Sequence, residues 1–145
     1  MRSWELQQAI YAKLSANADL QALGVTVYDH VPQRSDYPRT VIGEDFPTQA
    51  DTDDTLDSNH EITLHHWSRD VGQDGYPGKV RHSGSRQVKQ MEQACYKALH
   101  RQPLVVAGAA FTDCQALDSD IFLDPDGLTR HLVQRFIVLL DNMTP

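Results

Sequence analysis

From Ser3 the apolar residues Leu6, Ile10 and Leu14 recur at four-residue spacing with Ala9 beside them, which predicts an amphipathic helix capped by Ser3. A short turn, ADLQALG, follows with Leu20 and Leu23 and ends on Gly24, a left-handed stop. The pattern then changes period. VTVYDHV (25–31) and RTVIGE (39–44) are β-branched and aromatic, bounded by Pro32 and Pro38, and read as two strands joined as a hairpin by QRSDYP. From His60 to Trp67 strict alternation puts Ile62, Leu64 and His66 on one face, with Glu61, Thr63, His65 and Trp67 on the other. Residues 70–84 hold glycines and a proline without periodicity and read as a long surface loop. Ser85 then caps a second amphipathic helix over 86–100, with Val88, Met91, Cys95 and Leu99 opposite Lys89, Glu92, Gln93 and Lys97.

The run LVVAGAAF (104–111) leads into a fourth strand through Cys114 to Leu117, and LDPDG (123–127) has the chemistry of a turn. The last strand, 128–141, turns apolar on both faces toward Leu140, so it is expected in the centre of the sheet and buried on both sides there. The order predicts an α+β fold: a mostly antiparallel four- to five-stranded sheet with two helices packed on one face, a single domain over 1–145.

Charge changes this picture in one respect. The net charge is −7, and residues 44–67 hold seven acids, three histidines and neither lysine nor arginine. Removing those seven acids from the twenty leaves thirteen, against thirteen lysines and arginines, so one segment carries the whole excess. The acids Asp51, Asp53, Asp54 and Asp57 form the centre of an acidic loop expected at about 45–59. Between Lys79 and Arg101 the balance reverses, with six basic residues against Glu92. A chain segregated in this way favours oriented association. An acidic chain repels phosphates, and the basic residues of the second helix lack interleaved aromatics, so direct reading of nucleic acid is disfavoured. No apolar run approaches the 18 or so residues of a membrane span, and the N-terminus lacks the pattern of a secretory signal, so synthesis in a cytoplasm is expected.

Clustered carboxylates and histidines invite a metal site, but adjacent His65 and His66 point to opposite faces of a strand. Asp124, Asp126 and Gly127 begin like a calcium loop, yet Val133 stands where a bidentate glutamate is needed. No phosphate loop, nucleophile elbow or H-E-x-x-H occurs. Cys95 falls on an apolar helix stripe and, like Cys114, is expected to be a buried free thiol. The residues therefore nominate no catalytic group, metal or cofactor. A small metal-dependent hydrolase using the acidic segment with His60 or His65 is the rival reading.

In order along the chain, SWELQQAIYAKLSA, VYDHVP, VIGED, LHHWSR and DPDGLTRH resemble the tail completion, or tail terminator, proteins of long-tailed bacteriophages and of related prophages and gene transfer agents. The resemblance covers Ser3 to about Phe136 and implies a structural role without catalytic residues. Its members form a homohexameric ring at the head-proximal end of the tail tube, stop addition of tube protein and meet the head-tail connector. Genomic DNA passes through the lumen without sequence-specific binding, and no membrane is involved. The implied location is the virion, with the host cytoplasm during assembly; a connector of the stopper or adaptor kind is the alternative in the same setting. On this reading Asp51, Asp53, Asp54 and Asp57 line the lumen or touch a neighbour. Arg86, Lys89, Lys97 and Arg101 form a basic docking face, and Gly72, Asp74, Gly75, Tyr76, Lys79 and Arg81 belong to a partner-binding loop.

Overall fold

The computed structural model describes residues 1–30, 37–73 and 76–142, with backbone alone at 71–73, 76–82 and 112. Helix α1 (Ser3–Ser15) and the short α2 (Ala18–Ala22) lead into strand β1 (Thr26–Tyr28). Strands β2 (Arg39–Gln49), β3 (Asp57–Arg69), β4 (Val71–Gln73) and β5 (Tyr76–His82) precede helix α3 (Gly84–Leu99), and β6 (Ala110–Leu123) and β7 (Thr129–Asp141) close the chain. The fold is α+β. Its main sheet has the order β1-β2-β3-β7-β6, antiparallel at every neighbour except β1 and β2, and β4 and β5 form a separate two-stranded sheet.

Leu6, Ile10 and Leu14 of α1 and Leu20 of α2 share one core with Met91, Ala94, Cys95, Ala98 and Leu99 of α3. The sheet contributes Ile42, Ile62, Leu64, Cys114, Phe136, Val138 and Leu140 to the same core. Alternation explains the choice: Ser58, His60, Ile62, Leu64, His66 and Ser68 of β3 are all buried, and the residues between them are not. Cys95 and Cys114 are free and buried, and loss of hydration pushes the Cys95 thiol up and that of Cys114 to about 12.

Several expectations are corrected. β1 and β2 pair in parallel, with Thr26 opposite Arg39, and not as a hairpin. Since β1 has three residues, the chain must return only about 10 Å to start β2 in parallel, a distance that the ten residues from Asp29 to Pro38 span easily. Ser3 lies within the first turn of α1, which has no side-chain cap. α2 is capped instead by the Asn17 side chain, and α3 by Ser83 in place of Ser85. β7 is an inner strand between β3 and β6, but its end is not buried on both sides: Val138 and Leu140 are enclosed while Ile137 and Leu139 are half-exposed. Among the described residues no helix covers the other face of the sheet.

Residues 70–84 are not an unstructured loop. Gln73 pairs with Tyr76 across Asp74 and Gly75, which lie outside the described residues, and Val71 with His82. A two-residue Asp-Gly link between short extended runs is itself a hairpin signal, masked here by Gly72, Pro77 and Gly78. The acidic loop is shorter than expected: β2 runs to Gln49 and β3 begins at Asp57, so residues 50–56 alone form the hairpin tip.

Candidate assembly surfaces

The tip between β2 and β3 brings Asp51, Asp53 and Asp54 together on a fully exposed turn. Gln49 Nε2 donates to Asp51 at 2.8 Å, and Thr52 and Thr55 join their hydroxyls at 2.6 Å, which fixes the turn and leaves Asp53 and Asp54 facing water. Asp57 stands apart from the other three. It opens β3, accepts from Thr55 Oγ1 at 3.0 Å, and lies opposite Asp141 of β7.

The basic residues form a second surface. Arg86, Lys89 and Lys97 are exposed and fall within an arc of about 80° on α3, since about 3.6 residues make one turn. Arg101 does not belong to that helix face. It follows α3 in the left-handed region at φ 58°, and its guanidinium is tied to Asp113 of β6 at 3.0 Å. Gly72, Tyr76, Lys79 and Arg81 fall in the β4–β5 hairpin, while Asp74 and Gly75 lie outside the described residues.

The histidines of the acidic segment lie among other side chains. His60 is fully enclosed; its Nδ1–H donates to the Asp45 carboxylate at 3.3 Å, and its Nε2 accepts from Ser58 Oγ at 2.8 Å. Asn142 Nδ2 donates to the same Ser58 Oγ at 2.7 Å. The order acid, imidazole, hydroxyl is that of a nucleophile relay. Here, however, Ser58 has no exposed surface, so no substrate reaches its oxygen, and the chain of bonds joins β2, β3 and the end of β7. His66, also enclosed, accepts from Thr40 Oγ1 at 2.8 Å and donates to Gln134 Oε1 at 2.8 Å. Gln134 Nε2 in turn donates to the Glu92 carbonyl of α3 at 3.2 Å. Burial lowers the His66 pKa to about 4, against the opposing Gln134 bond, so the imidazole is held neutral.

On the open face His65 donates from Nε2 to Glu44 at 3.0 Å and shares a 2.8 Å bond between its Nδ1 and His131 Nε2. The hydrogen bond from His65 holds the Glu44 carboxyl below its usual range, and burial lowers the pKa of His131. His131 stacks on Trp67 at 3.7 Å, and Arg39 lies over both Trp67 and Tyr37. Sequence reasoning missed this cluster. Its signal is the register that sets His131 opposite Trp67, which the two strands do not reveal until paired. At the DPDG turn Asp126 receives the Leu128 and Thr129 amides and the Thr129 hydroxyl, led by which its pKa drops to about 2. Those bonds make it the turn expected from Pro125 and Gly127, the latter at φ 72°.

What joins these features is their separation: an acidic tip, a basic helix face and an uncovered sheet face, each on a different element. The model of the family described as "Tail completion protein gp17" matches residues 8–141. The chain belongs to that family. It is therefore a structural protein of the bacteriophage tail and a component of virions. No curated protein sequence matches it. Among solved structures it is similar to a chain from the virion of a native gene transfer agent particle, with a TM-score of 0.77 and 21% identity over 94% of each chain. That likeness shows a common fold for the tail completion protein and the particle's chain.

Proposed function

We propose that this tail completion protein forms a homohexameric ring on the head-proximal end of the tail tube, halts tube growth and presents its far face to the head-tail connector. Family membership supplies the setting, and the observation that supports a ring is the placing of opposite charges on separate elements. A ring closes by heterologous contacts, so each subunit needs two different and complementary surfaces. The exposed tip with Asp51, Asp53 and Asp54 and the α3 face with Arg86, Lys89 and Lys97 meet that need. Two roles for the tip follow: lining the lumen, where like charge keeps passing DNA from adhering, or docking on a neighbour's helix.

Replacing Asp51, Asp53, Asp54 and Asp57 together by asparagine separates the two roles. Intact tails that deliver DNA poorly support the lumen; loss of ring assembly supports docking. Normal yield of infectious particles would reject both. The β4–β5 hairpin is the candidate for contact with a partner, be it the tube, the connector or a neighbouring copy. Deleting residues 72–78 is expected to spare the fold, read by circular dichroism, and to abolish head-tail joining.

A further inference from the structure

The second half of β6 is exposed in a way that the rest of the sheet is not. All seven residues from Leu117 to Leu123 are exposed, with Leu117 at 49%, Phe122 at 50% and Leu123 at 56% of their surface. Alternation along a strand normally hides every second side chain. Among the described residues neither face is covered, and β6 ends the sheet order, so its outer edge there carries amides and carbonyls without a strand partner. Edge strands are commonly blunted by bulges. The two register shifts of β6 lie at Phe111/Asp113 and Ala116/Asp118, leaving Asp118 to Leu123 in unbroken register with Arg135 to Arg130. Beside this edge a groove of about 290 Å³ between α3 and β6 is lined by Glu92, Gln93, Tyr96, Ala116 and Leu117.

We infer that the β6 edge from Leu117 to Leu123 is an acceptor for strand addition, and that its occupant is the β5 strand of a second copy of this chain. The inference rests on the self-assembly proposed above and supplies one contact of it. Charge selects the occupant. Asp118 and Asp120 sit in the open run with Glu92 beside it, so pairing β6 with another β6 would set carboxylates against carboxylates. β5, YPGKVRH, holds Lys79 and Arg81 and no acid, and at seven residues matches the seven-residue run. In a two-stranded sheet it has one edge open, and such a sheet gains stability from a third strand. Pro77 has no amide to donate, so Gly78 to His82 carry the pairing. The opposite edge of the main sheet offers no rival, since β1 has three residues and no charge. Main-chain bonds supply the affinity of such a pairing.

The test is a charge exchange read by sedimentation of the full chain with tail tubes. Asp118→Lys with Asp120→Lys, and separately Lys79→Asp with Arg81→Asp, should each weaken self-association at least tenfold with the fold intact by circular dichroism. An equimolar mixture of the two variants restores a matched pair at every contact and should recover wild-type association. So should the chain carrying all four changes. Wild-type behaviour of either variant alone, or a mixture that stays dissociated, would overturn the inference. If the β6 variant alone loses association and the β5 variant does not, the edge accepts another protein and β5 is ruled out. A wild-type chain that never self-associates on tubes would instead reject the ring.

Discussion

At the scale of single residues, Gly43 and His66 show how closely side chains of neighbouring strands pack against one another in the sheet. A Cβ added at Gly43 would stand 2.6 Å from His65 Cδ2 and 3.3 Å from the Thr63 carbonyl. The imidazole cannot simply turn aside, because Glu44 and His131 hold its two nitrogens. Gly43→Ala is therefore expected to cost about 1–3 kcal/mol in urea denaturation, and the loss should shrink when His65→Ala is added. An equal cost in both backgrounds would show that backbone, not the ring, is the obstacle. His66 sets a pH dependence. Its folded pKa lies near 4 against 6.5 for the free side chain, so the unfolded chain takes up a proton first as pH falls. Stability is full above about pH 6.5 and declines toward pH 4, by at most roughly 3 kcal/mol for this group. Burial lowers the His66 pKa, repulsion from His65 and His131 adds to it, and the His131 pKa is itself lowered, so the slope is assigned by replacement. Urea midpoints from pH 7.5 to 4.5 should fall less steeply for His66→Gln than for the wild type; parallel slopes would remove His66 from the account.

At the scale of elements, caps and links decide where each piece begins. Ser83 Oγ accepts the Arg86 amide at 3.3 Å, and Asp70 Oδ1 accepts the Gly84 amide at 2.6 Å, so the end of β3 and the start of α3 are tied together. Ser83→Ala is expected to cost about 1 kcal/mol and Ser85→Ala much less, measured as urea midpoints. The reverse ranking would restore Ser85 as the cap. The sequence shows the existence of α1, α3, β2, β3 and β7 through their periods, and the buried set Leu6, Ile10, Leu14, Ile62, Leu64, Val88, Met91, Cys95 and Leu99 along with them. Pairing is not visible there. The parallel β1–β2 contact depends on how far the chain must travel, and the β4–β5 hairpin is hidden because glycine and proline suit both loops and bulged strands. The acidic tip and basic helix are legible from charge alone, whereas the exposed run of β6 is not. Its alternating residues Ser119, Ile121 and Leu123 look like an ordinary core strand until the helical layer is seen to stop short of them.

At the scale of the whole molecule, the charges and the apolar edge divide the work of association. Leu117, Ile121, Phe122 and Leu123 offer apolar surface whose burial depends little on salt, whereas Asp51, Asp53, Asp54, Asp118 and Asp120 face solvent and are screened within about 8 Å at physiological ionic strength. Charge complementarity chiefly speeds encounter and fixes orientation; packed surface chiefly slows release. Self-association of this chain on tail tubes should therefore lose rate steeply as salt rises from about 0.05 to 0.5 M, while dissociation of the assembled form changes little. Stopped-flow light scattering after mixing protein with tubes reads the first quantity, and dilution of preformed assemblies reads the second. The contrast follows from a molecule whose net charge of −7 comes from one segment, with basic residues concentrated further along the same chain. If salt accelerated dissociation as strongly as it slowed association, charge pairs and not the β6 edge would hold the assembly. If salt changed neither rate, the acidic tip and the α3 face would have no part in it, and contacts between uncharged surfaces would have to account for subunit orientation.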